Sequence, residues 1–183
     1  MTRFGFNWSQ HGPLGWRRVS RPVDIVVALG IIGLLAIAGA VLQYRLGPAR
    51  TLMGAAQAID GDSLRLAGEE LRLEGLDAPE YRQSCTDRSG RQVDCGRAAR
   101  RALVELLSRG IVTCEIGKID KYGRGLAHCR VGETDINATL VREGQAVAYG
   151  GYRAEEAQAK AAGRGIWALR FERPETWRRG QGR

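Results

Sequence analysis

Three short stretches carry the residues that could do chemistry: Asp60-Gly61-Asp62-Ser63 with Arg72 behind it, then Asp77-Ala78-Pro79-Glu80, then Asp120-Lys121-Tyr122-Gly123-Arg124-Gly125. They offer several carboxylates and two arginines, with no Ser, His or Cys in a catalytic-looking pattern. That combination suits metal-assisted attack of water on a phosphodiester. Carboxylates hold a hard cation and activate water, while guanidinium groups grip the phosphate. Each stretch alone has a plain alternative: Asp60-Gly61-Asp62 as a turn, Pro79 as a strand end, Asp120 to Gly125 as a hairpin loop.

The elements that must position these groups follow from hydrophobic patterning. Leu64 and Leu66 alternate with Ser63 and Arg65, Gly68 supplies a turn, and Leu71 and Leu73 alternate with Arg72 and Glu74, which predicts two strands. The phase slips at Gly75, because Leu76 would fall on the charged side; a Gly there signals a bulge or a strand end. Arg72 and Asp77 are five residues apart, so only such a distortion lets both reach one site. A helix is expected from Asp94 or Gly96 to about Ser108, with Ala98, Ala99, Ala102, Leu103, Leu106 and Leu107 as its apolar stripe and Gly110 beyond its end. Ile111 to Ile116 and Leu126 to Val131 read as strands. Asn137 is expected to cap a short helix running through Val141, and a third helix spans Arg153 to Ala162. His128, in an apolar strand, reads as structural. This order matches a five-stranded Greek-key β-barrel of the OB type with about three α-helices, an α+β domain.

One transmembrane helix is expected ahead of the barrel. Ile25 to Leu42 is an uncharged apolar run of about 18 residues, close to the ~30 Å hydrocarbon layer at ~1.5 Å per residue. Arg3, Arg17, Arg18 and Arg21 precede it, and Arg45 and Arg50 follow. That bias favours an N-terminus in the cytoplasm and a barrel outside, periplasmic or extracellular. The rival reading is a cleaved signal peptide, since Ala36-Ile37-Ala38 and Ala38-Gly39-Ala40 fit the small-residue cleavage pattern. The expected organisation is a cytoplasmic tail over 1–23 (with Trp8 and Trp16), the membrane helix over 24–43, a linker over 44–50, the barrel domain over 51–171 and a basic C-terminal tail over 172–183 that reads as a frayed end.

Four cysteines, Cys85, Cys95, Cys114 and Cys129, all follow the span, which agrees with export. Of the three pairings open to them, Cys85–Cys95 would close a short polar loop and Cys114–Cys129 would join two strand-like stretches. Zinc is disfavoured, because no C-x-x-C pair occurs and His128 is the only nearby imidazole. The net charge is +8. From Thr51 onward 22 basic residues face 19 acidic ones, a net of only +3, so charge alone does not select a polyanionic partner.

From about Ala56 to Trp167 the chain resembles the staphylococcal nuclease (thermonuclease-like) family. The resemblance rests on Ile59-Asp60-Gly61-Asp62-Ser63, on Arg72 through Glu80, and on Asp120 through Ala127. It continues in Asn137-Ala138-Thr139-Leu140-Val141-Arg142-Glu143-Gly144 and in Glu156-Ala157-Gln158-Ala159-Lys160 with Gly165-Ile166-Trp167. It implies Ca²⁺ as cofactor, bound by Asp62, Asp77 and the backbone carbonyl of Ala78, with Asp60 as an acidic neighbour. It implies Glu80 as the general base, Arg72 and Arg124 as phosphate ligands, and Lys121, Tyr122 and Tyr149 as substrate contacts. Tyr152 would stand in for a second tyrosine, although the loop after Tyr149 departs from the family pattern. The Cys85 to Cys95 insertion departs from it too.

The expected activity is an exported Ca²⁺-dependent endonuclease, a hydrolase of DNA and RNA that leaves 3′-phosphate ends, working as a monomer held to the membrane through residues 25–42. The alternatives are a non-catalytic OB-type module binding nucleic acid or protein, and an accessory factor in envelope or polysaccharide assembly.

Overall fold

The computed structural model describes residues 22–46 and 50–181. The basic residues expected to set membrane orientation before the span, Arg3 to Arg21, together with Trp8, Trp16 and residues 47–49 of the expected linker, lie outside the described residues, whereas 44–46 continue α1 and Arg50 opens β1. The chain divides into two units between Val41 and Leu42.

Helix α1 is Pro22–Leu46, most of it in the first unit. Its segment Ile25–Gln43 is long and apolar enough to cross a membrane, and none of that segment is buried. Hydrophobic residues occur all round it, so no polar face is left to lie on a protein surface.

The second unit is a curled mixed sheet. Its strands are β1 Arg50–Gly54, β2 Ala56–Ala58, β3 Ser63–Leu66, β4 Glu69–Leu73, β5 Leu76–Asp77, β6 Cys85–Thr86, β7 Gln92–Val93, β8 Val112–Ile119, β9 Gly125–Val131, β10 Thr134–Asp135 and β11 Val147–Ala148. The helices are α2 Cys95–Leu107, α3 Ile136–Arg142, α4 Arg153–Ala162 and α5 Pro174–Gly180, with a 3-10 turn over Gly165–Ala168. The main sheet runs β1-β8-β9-β4-β3-β2. β1 and β2 are two pieces of one strand, parted only at Ala55, so the path curls back on itself. β4 and β9 pair parallel and the other neighbours antiparallel. This is the OB-type barrel that the element order predicts.

Alternation decides what goes inside. Leu64, Leu66, Leu71 and Leu73 are essentially fully buried, joined by Leu103, Leu106 and Leu107 from α2 and Leu140 and Val141 from α3. Each such side chain contributes roughly 1.5–3 kcal/mol relative to exposure. Cys114 and Cys129 face each other in the β8–β9 register and are bonded, as are Cys85 and Cys95.

Two local expectations are corrected. Asn137 does not cap α3; Asp135 does, its carboxylate accepting from the Ala138 N–H at 2.9 Å. Asn137 sits inside the helix, fully buried, accepting from the Cys129 N–H and donating to the Glu74 and Ala127 carbonyls. It ties α3 to the end of β4 and to β9, a use of an amide that local sequence does not reveal. Residues 174–180 of the expected frayed tail are helical: Pro174 opens α5, where its missing N–H costs nothing.

Candidate active site

Asp62, Arg72, Asp77 and Glu80 converge at one end of the barrel. Asp62 begins the β2–β3 turn exit, where its own N–H donates to Asp60 Oδ1 at 3.1 Å. Arg72, on β4, lies opposite Ser63 in register, which brings its guanidinium beside Asp62. Arg72 Nη2 is 2.8 Å from Asp62 Oδ2 and 2.8 Å from Asp77 Oδ1. The bend that allows this is at Gly75, with φ of +86°, a conformation that glycine takes without penalty. A Cβ there would come within 2.9 Å of the Tyr152 ring. The bend is held by β11, which pairs with β5, and by the Tyr149 N–H donating to the Gly75 carbonyl at 2.9 Å.

Glu80 is set by the first turn of α2. Gly96 approaches so closely that a Cβ would lie 1.8 Å from the Glu80 carbonyl oxygen. Gln83, buried, accepts from the Glu80 N–H through its side chain and from the Gly96 N–H through its carbonyl. The Cys85–Cys95 bond closes the same corner.

The electrostatics are those of buried carboxylates held by guanidinium groups. Asp62 is 4 % exposed and Asp77 2 %. Burial pushes the Asp62 carboxyl up to about 7, against the pull of Arg72 and of the Ala78 N–H, with Asp60 and Asp77 adding to the rise. The Ala78 N–H and the Ser63 hydroxyl both donate to Asp62, at 3.1 Å each. Glu80 stays within reach of solvent, its side chain 27 % exposed.

Arg124 has ion pairs of its own. It precedes Gly125, the β9 partner of Leu71, and so flanks the strand that carries Arg72. Its Nε and Nη2 are both 2.9 Å from Asp120 Oδ2, and Glu70 lies 3.9 Å away. Among the described residues it makes no ion pair with Asp62, Asp77 or Glu80. Asp120 also accepts from the Tyr122 and Arg124 N–H groups, and although burial alone would raise its carboxyl, these bonds hold it below the usual range. Lys121 and Arg124 both lie over the Tyr122 ring, at 4.9 and 5.5 Å. Tyr122 and Tyr149 are exposed, 72 % and 59 %. Tyr152 is not: its hydroxyl meets His128 Nδ1 at 2.9 Å, and burial, then nearby carboxylates, push it up to about 12. His128 therefore has a structural partner, on the exposed side of β9 and not in the core.

Arg178, from α5, is the member that sequence reasoning missed. Its Nη1 is 2.9 Å from Asp77 Oδ1 and 2.9 Å from Glu80 Oε1, and its Nη2 is 3.0 Å from Asp77 Oδ2. Burial lowers the affinity of Arg178 for its proton, but the bonds to Asp77 and Glu80 outweigh it and the net shift is upward. The tail's basic composition was the only signal, and it named no particular arginine.

The donor set fits a hard cation by type, since Asp62, Asp77 and the Ala78 carbonyl offer only oxygen. Among the described residues no three Asp, Glu, His or Cys side chains gather as a metal cluster. The cation that rests against Asp77 and Glu80 is the Arg178 guanidinium. The cavity of about 340 Å³ between α2 and α3, lined by Glu105, Arg109 and Glu143 among others, contains none of the site groups. Of Asp62, Asp77 and Glu80 only Glu80 reaches the surface, beside the partly exposed Arg72 and Arg178.

Comparison with known proteins points to one family. The model of the family "Staphylococcal nuclease homologue" matches residues 70–169, more than half of the chain. Two rice proteins (Oryza sativa subsp. japonica), "Probable staphylococcal-like nuclease CAN3" and "CAN2", are 32% and 31% identical over 114 residues. Those matches cover 58% of this chain but only 28% of each relative, so the chain spans less than a third of their length. Arg72, Asp77, Glu80 and Arg124 fall inside the family match, whereas Asp60, Asp62 and Arg178 lie beyond its ends. The chain belongs to the staphylococcal nuclease homologue family.

Proposed function

We propose that the barrel domain, over about 51–171, is a Ca²⁺-dependent nuclease that hydrolyses DNA and RNA backbones. The observation that carries this reading is the meeting of Asp62 and Asp77 with Arg72, with Glu80 joined to Asp77 through Arg178. A divalent cation held by Asp62, Asp77 and the Ala78 carbonyl would offset the negative charge that makes a phosphodiester resist attack. Glu80 accepts a proton from the attacking water, and its partial exposure gives water access. Arg72 and Arg124 hold the non-bridging oxygens and favour the extra charge of the transition state. Lys121, Tyr122 and Tyr149 contact the strand on either side, which favours flexible or single-stranded substrate whose bases can splay. The leaving group is the 5′-oxygen, so 3′-phosphate ends remain; this detail rests on family resemblance.

The domain works outside the cytoplasm as a monomer anchored through residues 25–42. Support comes from the apolar helix α1 and from two disulfides, which persist in oxidising compartments. The tail over 1–23 stays in the cytoplasm, and the stretch over 44–50 links anchor to domain.

The test is incubation of the full chain in detergent, disulfides intact, with single-stranded DNA in Ca²⁺ or in excess chelator. Cleavage confined to Ca²⁺ supports the reading. Binding without cleavage would favour a non-catalytic OB module instead. A reporter active only in the cytoplasm, fused after Arg183, should stay silent; a signal from it would refute the topology.

A further inference from the structure

Asp77 has little room left for another cation. Its Oδ1 accepts from Arg72 and from Arg178, and its Oδ2 accepts from Arg178. Glu80 gives Oε1 to the same guanidinium. A divalent ion entering beside Asp77 would meet two positive groups already on that carboxylate.

The two arginines are mounted differently. Arg72 is built into β4, hydrogen-bonded on both sides within the sheet. Arg178 hangs from α5, of which only Pro174 is fully buried, with Trp177 and Arg178 half-buried. Upstream, the chain is fastened well. Thr86 and Arg170 exchange backbone hydrogen bonds at 2.9 and 2.8 Å, Gln83 Nε2 donates to the Glu172 carbonyl at 2.6 Å, and Arg173 pairs with Glu156 at 3.0 Å. These ties end where α5 begins. A short helix with little apolar burial is thus held to the domain chiefly by Arg178 and its two carboxylates, at the end of a fixed strap. Elements with few buried contacts open at low free-energy cost.

We propose that α5 is an intramolecular latch: Arg178 neutralises Asp77 and Glu80 in the cation-free protein, and a divalent cation and Arg178 bind these carboxylates in competition. The inference rests on the reading that Asp62 and Asp77 hold such a cation. Linkage then requires each to weaken the other's hold by the same factor. While latched, Glu80 Oε1 is engaged by Arg178; release frees it. The latch couples activity to local Ca²⁺ and lets the strap report the state of the site.

The test uses the full chain in detergent, titrated with Ca²⁺ by calorimetry, with amide hydrogen exchange followed over 174–181. In wild type, Ca²⁺ should speed exchange in that segment. Arg178→Ala should exchange fast without Ca²⁺ and bind Ca²⁺ about tenfold more tightly. Arg179→Ala removes the same charge from α5, where Arg179 pairs only with Glu175 among the described residues, and should leave Ca²⁺ affinity unchanged. Exchange unaffected or slowed by Ca²⁺, or Ca²⁺ affinity unchanged or weakened in Arg178→Ala, overturns the latch and makes Arg178 a phosphate ligand or a structural tie. In that case Ca²⁺-dependent cleavage would survive, so the nuclease reading would stand alone. Absence of Ca²⁺ binding in every variant would remove both.

Discussion

Arg72 and Asp77 meet at 2.8 Å although they are five positions apart, and the turn at Gly75, φ +86°, is what swings both to the same side. Gly75 is therefore a functional position that carries no chemistry of its own. Gly75→Ala forces an L-residue into the left-handed region and drives its Cβ toward the Tyr152 ring. We expect a loss of about 1–3 kcal/mol in denaturant unfolding. Cleavage should fall with it, because the ion pair that shapes the rim moves. Unchanged stability would show that the bend tolerates a side chain.

Glu80→Gln keeps the shape of the side chain and removes its basicity. Cleavage of single-stranded DNA should drop by about 10²–10⁴ in kcat. Arg72→Ala should cost about 10²–10³ through lost stabilisation of the transition state. Arg72→Lys should recover little, since an ammonium cannot span Asp62 and Asp77 as the planar guanidinium does. Steady-state kinetics in saturating Ca²⁺ would check all three, and full activity in either Glu80→Gln or Arg72→Ala would reject the roles assigned to them.

The raised carboxyl of Asp62 has a signed consequence for stability in chelator. The folded chain keeps this proton up to about pH 7, whereas the unfolded chain releases it near pH 4. Between those values the native state binds more protons, so stability is highest at the acid end and falls as pH rises through the window. The contribution is on the order of 4 kcal/mol for a shift of this size. Asp62→Asn cannot titrate, and its stability should be flatter than wild type from pH 4 to 7 in urea unfolding. Parallel curves for the two proteins would contradict the shift.

Asn137 should behave as a core residue despite being polar. Asn137→Ala leaves the Cys129 N–H and the Glu74 and Ala127 carbonyls without their amide partner in a dry interior. We expect a loss of about 2–4 kcal/mol by chemical denaturation, with little change in KM for what remains folded. A loss below about 0.5 kcal/mol, the scale of a surface substitution, would mean that water replaces the amide.

Much of this molecule was legible along the chain. Alternation at Leu64, Leu66, Leu71 and Leu73, the stripe on α2 and the long apolar run of α1 depend on neighbours a few positions away, and period determines which face is buried. The phase slip at Gly75 and the facing Cys114 and Cys129 could be read for the same reason. So could the carboxylate and arginine set, because side-chain chemistry and order are written directly in sequence. Tertiary structure alone decided three things. It put Asn137 inside α3 as a cross-brace while Asp135 took the cap. It paired Arg124 with Asp120. And it carried Arg178 onto Asp77 from 101 positions away. Contacts of that span are set by how the whole chain closes, and no local pattern of residues records them.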